Sequence, residues 1–245
     1  LENQTGATIE SSSSKAVGMS QKAGGNIENA GTISLTGDQS IGMHSENVTI
    51  AGHIMKNSGS ITIGDSSNPA NPSLGIFSAN GINSTIVNEC KVVAGKQSIG
   101  IYGGNVNSGA ISEISAGEGG IGIYSKEGEV TIENGVKLSI GASLGKNKEG
   151  VAVYLAGDHQ TLNSKTSDMT IGDGSFGYVM TGQGNTVTTG YAGNTGNVSL
   201  GKDTIFLYSA DQAGNIENYN HLVSAGDENY GLYVSGPTKN YGNID

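Results

Sequence analysis

The sequence predicts an all-β chain wound as a parallel β-helix, a β-solenoid of about nine coils with three short strands per coil. Three observations predict it. An apolar-Gly-apolar unit recurs nine times along the 245 residues. Ahead of these units apolar residues alternate at period two, the spacing of a strand. No window sustains a 3.6-residue apolar period, and Gly interrupts every candidate helix.

The unit reads Val17-Gly18-Met19, Ile41-Gly42-Met43, Leu74-Gly75-Ile76, Ile99-Gly100-Ile101 and Ile121-Gly122-Ile123. It continues as Val151-Ala152-Val153, Phe176-Gly177-Tyr178, Ile205-Phe206-Leu207 and Tyr230-Gly231-Leu232. Seven of the nine centres are Gly, and successive centres stand 22 to 33 residues apart. One such coil cannot bury its own inner face, but stacking coils at about 4.8 Å does so. A propeller blade would need about 40 residues. The right hand is the general rule for crossovers between parallel strands.

A Gly closes the strand ahead of most units. In six of eight cases it lies five residues before the centre, as in Gly95 to Gly100 and Gly172 to Gly177. From Gly64 to Gly75 and from Gly141 to Ala152 the gap is eleven. Two coils therefore carry six-residue insertions at the same corner, within Ser66–Ser73 and Ala142–Glu149, and a third irregular stretch covers Thr181–Gly196. Strands before the closing Gly are expected at Ile61/Ile63, Cys90/Val92/Ala94, Val136/Leu138/Ile140, Met169/Ile171 and Val198/Leu200. A further short strand is expected at Val48-Thr49-Ile50, Val130-Thr131-Ile132 and Val187. An Asn-rich turn follows, with Asn29, Asn57, Asn107, Asn134, Asn218 and Asn240 forming an outer ladder, because Asn tolerates left-handed turn geometry.

Strict alternation places Ile99 and Ile101 inside and Gly100 and Tyr102 outside. The same parity makes an outward Gly column and, beside it, an outward aromatic column of His44, Phe77, Tyr102, Tyr124, Tyr154, Val179, Tyr208 and Tyr233. Such rings can brace neighbouring coils. They can also present a platform to sugars or to a partner protein.

Composition narrows the function. The chain has a net charge of −10, and its 12 cations are all Lys. Capture of phosphate backbones is therefore disfavoured, as is contact with anionic membrane. Cys90 stands alone, so no internal disulfide can form. No apolar run approaches the roughly 20 residues of a membrane span. The chain reads as one β-helix over residues 1–245, a segment of something longer.

Gly117-x-Gly119-x-x-Gly122 and Gly172-x-Gly174-x-x-Gly177 match the dinucleotide fingerprint formally. They fall at strand corners, where no helix N-terminus can hold a pyrophosphate. Asp65, Asp173, Asp203 and Asp227 read as solvated turn residues. His44, His53, His159 and His221 lack metal-ligand spacing, and Cys90 reads as a buried small residue. No cofactor, metal or catalytic group is expected. Glycosidases need paired carboxylates at fixed separation, whereas the acids here are scattered among the corners.

The units Ile121–Ser125 (IGIYS), Ser60–Asp65 (SITIGD), Gly231–Gly236 (GLYVSG) and Ile27–Gly31 (IEN-x-G) resemble repeats in the passenger domains of large fusobacterial type V autotransporter adhesins. The resemblance covers nearly the whole chain, and the Lys/Asn/Ile-rich, Arg-free composition suits it. It implies an extracellular right-handed β-helix at the bacterial surface, carried by an outer-membrane barrel elsewhere in the full-length protein. It also implies attachment to a protein or glycan receptor on host cells or other bacteria. A non-enzymatic adhesin segment is the leading expectation. A polysaccharide-processing enzyme and a pure stalk spacer are the alternatives. Loops are where a scaffold carries recognition, so the candidate contact residues are Pro69, Asn71, Pro72, Lys146, Asn147, Lys148, His159, Asn185 and Tyr191.

Overall fold

The structure, a computed structural model, describes residues 1–22, 24–46, 51–79 and 81–245. Among these residues the strands form three parallel sheets of ten, nine and nine strands. The first sheet runs from Glu2–Asn3 to Thr238–Asn240, the second from Thr8–Ser11 to His221–Ser224. The third runs Val17–Gln21, Ile41–Ser45, Leu74–Ser78, Ile99–Gly103, Ile121–Ser125, Val151–Leu155, Phe176–Met180, Ile205–Ser209 and Tyr230–Val234. The chain visits the three sheets in turn, and each strand pairs with its counterparts one coil before and one coil after. The chain is therefore a parallel β-helix of about nine coils with three strands per coil. All nine apolar-Gly-apolar units fall on the nine third-sheet strands. The expected strand at Val48-Thr49-Ile50 lies outside the described residues.

The second sheet supplies the spine of the core. Ile33, Ile61, Val92, Ile114 and Leu138 stack in one register, each at most 1% exposed. Burying such a side chain contributes about 2 kcal/mol, and every coil repeats it. Lys56–Glu89, Lys91–Glu113, Lys96–Glu118 and Lys165–Glu133 tie neighbouring coils on the outside. These pairs are solvated, so each is worth little.

The corner between the second and third sheets needs a left-handed residue. Gln39, Gln97, Asp203 and Glu228 take φ of 59°, 53°, 53° and 62° there, and Gly119 and Gly174 take 63° and 67°. The two apparent dinucleotide fingerprints are thus corners in which Gly fills the strained position.

Three sequence expectations are corrected. The Gly column faces inward, not outward. A Cβ on Gly42 would meet the Gly75 carbonyl at 2.5 Å and the Ile61 Cγ2 of the core spine at 2.8 Å. Ala152 and Phe206, which replace Gly in this column, are both 0% exposed. Phe206 packs edge-on against Tyr178, with ring centroids 5.3 Å apart. The third residue of each unit is also inward, as Ile101 at 0% shows. Two successive residues face the core, so the pleat is broken and the first residue turns outward. Ile99, Ile121, Val151 and Phe176 accordingly lie outside the core cluster and line a hollow on the surface instead.

The second correction concerns asparagine. Asn3, Asn29, Asn57 and Asn88 do form a ladder, but inside the first sheet. Each Nδ2 donates to the next Oδ1 at 2.8 Å, and Asn29, Asn57 and Asn88 are 0% exposed. The column passes through Ser108, Ile132, Ser164 and Thr189 and resumes as Asn218 and Asn240. Asn107 and Asn134 stand outside it, both exposed. The third correction is small: Cys90 precedes the strand Lys91–Ala94 and is half-buried at a corner.

Candidate binding groove

The aromatic column stands where the sequence placed it. His44–Phe77, Phe77–Tyr102, Tyr102–Tyr124 and Tyr124–Tyr154 follow one another with ring centroids 5.3, 5.1, 5.0 and 5.2 Å apart. Tyr208 and Tyr233 continue it at 5.6 Å. The rings of Tyr102, Tyr124 and Tyr154 are nearly parallel, so each covers a neighbour's face. What they show to solvent is largely their edges. The ladder thus braces the coils along the third sheet, with pair energies of about 1 kcal/mol. It is interrupted once, at Val179, between Tyr154 and Tyr208.

The outward turn of the first unit residue adds a second apolar column beside the rings. Ile99, Ile121, Val151 and Phe176 form it, and with Tyr154, Val179 and Tyr208 they floor a groove of about 310 Å³. The groove runs along the solenoid axis. Its walls are the two corner insertions: Pro69 and Pro72 from one, Asn147, Lys148 and Glu149 from the other. The chain separates these insertions widely, yet the shared corner brings them to one face.

Both insertions are tied down. Ser66 is buried, its hydroxyl shared with Ser98 Oγ at 2.7 Å and accepting the Ser73 amide at 2.7 Å. Asn68 Oδ1 accepts the Ala70 amide at 3.0 Å, and the Asn71 amide donates to the Asn68 carbonyl at 3.0 Å. The Ser67 hydroxyl and amide both donate to the Asp38 carboxylate, which holds its pKa below the usual aspartate value. In the second loop, the Ser143 amide donates to the Asp173 carbonyl at 2.7 Å, and the Lys148 amide to the Gly145 carbonyl at 3.0 Å. Glu149 Oε1 accepts the Asn147 amide at 3.0 Å, with Asn147 left-handed at φ 62°.

The nine candidate contact residues divide by corner. Pro69, Pro72, Asn147 and Lys148 line the groove, and Asn71 and Lys146 are exposed on the same two loops. His159 and Asn185 belong to the corner between the third and first sheets, away from the groove. Asn185 is 2% exposed and structural: its Oδ1 accepts the Gln160 amide at 2.8 Å and its Nδ2 donates to the Gly182 carbonyl at 3.1 Å. Tyr191 lies on a third corner, where its hydroxyl accepts from Asn134 Nδ2 at 3.3 Å. The irregular stretch Thr181–Gly196 is likewise no single loop, because Thr186–Thr189 within it is an ordinary first-sheet strand.

Sequence reasoning missed the groove floor. Ile99, Ile121, Val151 and Phe176 were expected in the core. Phe176 and Tyr230 were the available signal, since a column inside a narrow solenoid has little room for such bulk.

Glu149 is the one carboxylate lining the groove among the described residues, and no group of three or more metal-ligating side chains exists among them. Comparison with protein-family models, with curated proteins and with solved structures found no match for this chain.

Proposed function

We propose that this chain is a non-enzymatic segment of a bacterial surface adhesin, exposed outside the cell. The solenoid acts as a rigid scaffold, and the groove on the third sheet is the contact face for a receptor on host cells or other bacteria. One observation carries this reading. Two insertions far apart in the chain leave the coil at the same corner and wall a single apolar groove. Neutral insertions would have no reason to converge on one face, and function gathers on loops that a rigid scaffold positions. The lone Glu149 also lacks the second carboxylate that glycoside hydrolysis requires.

Shortening 66–73 and 142–149 by six residues each, to the corner spacing of the other coils, tests the proposal. Loss of binding to intact target cells is expected for either variant, with the thermal midpoint little changed. Shortening 190–196 should leave binding intact. Full binding by both groove-loop variants would refute the reading.

A further inference from the structure

We infer that the tyrosine run Tyr102, Tyr124 and Tyr154 is a site of oxidative cross-linking. Peroxide acting through a haem peroxidase joins neighbouring rings as dityrosine and so staples successive coils covalently. The inference goes beyond the adhesin reading and stands apart from what the groove binds.

Placement makes the reaction intramolecular. Tyr102, Tyr124 and Tyr154 are register partners on three successive coils. Their ring centroids lie 5.0 and 5.2 Å apart, with interplanar angles of 19° and 9°. Like edges of adjacent rings therefore lie alongside one another. All three residues are half-buried, and the phenol edges are what an oxidant meets. Side-chain torsion on the picosecond-to-nanosecond scale closes the remaining gap between rings. The run is bounded, because Phe77 on the coil before Tyr102 and Val179 on the coil after Tyr154 carry no phenol. Tyr208 with Tyr233 at 5.6 Å and Tyr219 with Tyr241 at 4.6 Å repeat the arrangement elsewhere.

The rest of the chain directs oxidation to these rings. It contains no Trp. Met19, Met43, Met55, Met169 and Met180 are all of its methionines, and each is at most 3% exposed. Side-chain oxidation follows access, so the thioethers are shielded. Cys90 is the one thiol and is half-buried. Tyr178 is buried, and Tyr191 is exposed but stacks on no other ring among the described residues.

The chemistry balances with peroxide as the oxidant. Each phenol loses one electron and its hydroxyl proton, leaving a phenoxyl radical whose unpaired spin is shared with the Cε carbons. Two such radicals on adjacent coils join Cε to Cε. Each bonded carbon then releases its proton, its own oxygen takes one up, and both phenols are restored. Two electrons and two protons leave the pair in all, and they reduce one hydrogen peroxide to two waters. The fold holds each radical beside its partner at a high effective concentration, which a tyrosine on another molecule lacks at high dilution.

The test treats the 245-residue chain, its Cys90 capped with iodoacetamide, with a haem peroxidase and hydrogen peroxide at high dilution. The monomer should gain dityrosine fluorescence and lose the mass of two hydrogens per link, with a yield independent of protein concentration. Cleavage after glutamate puts Tyr102, Tyr124 and Tyr154 on separate peptides, and the linked pairs should be Tyr102–Tyr124 and Tyr124–Tyr154. Tyr124→Phe keeps the stack and removes the middle phenol. It should abolish both links, because Tyr102 and Tyr154 stand two strand spacings apart, about 10 Å. Tyr191→Phe should leave both yields unchanged. Matching circular dichroism shows that the variants fold alike. Absence of links within this run overturns the inference. So does a yield that falls with dilution, linkage of Tyr191 to the run as readily as Tyr124, or direct linkage of Tyr102 to Tyr154 in Tyr124→Phe.

Discussion

Asn57 occupies a position that alternation assigns to the core, and it earns that place through both neighbours. It accepts from Asn29 and donates to Asn88, each at 2.8 Å. Asn57→Ala would strand a donor and an acceptor in a dry interior, at a cost of about 2–4 kcal/mol. Ser108, in the same column beside Ile132, has a buried hydroxyl with no partner among the described residues. Ser108→Ala should therefore be neutral or stabilising by up to about 1 kcal/mol. Opposite signs in chemical denaturation are the check, and destabilisation by Ser108→Ala would contradict the ladder's end at Asn88. Asp211 allows a pH test. The residue is 1% exposed. Burial alone would raise its pKa, but the backbone amides of Asn185, Gly184, Ala213 and Gly214 outweigh burial and hold it below the ordinary 3.8. A lowered folded pKa means the contribution is intact above that value and is lost as pH falls through the folded pKa. The thermal midpoint of wild type should drop more steeply than that of Asp211→Asn below about pH 4.

At the scale of strands and corners, the inward Gly column is the sharpest constraint. Gly42→Val would drive a side chain against the Gly75 carbonyl and Ile61, and should cost about 2 kcal/mol or more. A thermal midpoint unchanged by this substitution would show that the column faces solvent after all. This is also where sequence reasoning divides into what it could and could not reach. The order of the strands was legible because the coil repeats its length, and the two groove loops were legible because eleven residues stand where five are usual. The facing of Gly42 and Ile99 was not legible, because alternation assumes an even pleat and two successive residues turn inward here. The buried asparagines were misplaced for another reason. Polarity argued for the surface, yet Asn29 shares parity with Ile27 and Asn218 with Ile216, and both members of each pair are buried. The groove was hidden as a consequence of the pleat, since its floor consists of the residues that alternation sends inside.

Across the whole molecule, the three sheets offer solvent different surfaces. Near Glu129 and Thr131 the first sheet presents a polar hollow lined by Thr85, Asn105 and Asn107, whereas the third sheet presents apolar columns between two loops. Because contacts in a solenoid join neighbouring coils, a surface substitution on one sheet should leave the other two undisturbed. Ile121 in the groove and Thr131 on the first sheet belong to the same coil. Saturation binding of Ile121→Lys and Thr131→Lys to intact target cells, with matching circular dichroism, is the most direct comparison of the two faces. Ile121→Lys should lose binding by about tenfold or more, and Thr131→Lys should bind as wild type does. Equal binding by the two variants, or loss confined to Thr131→Lys, would contradict the assignment of the groove as the contact face.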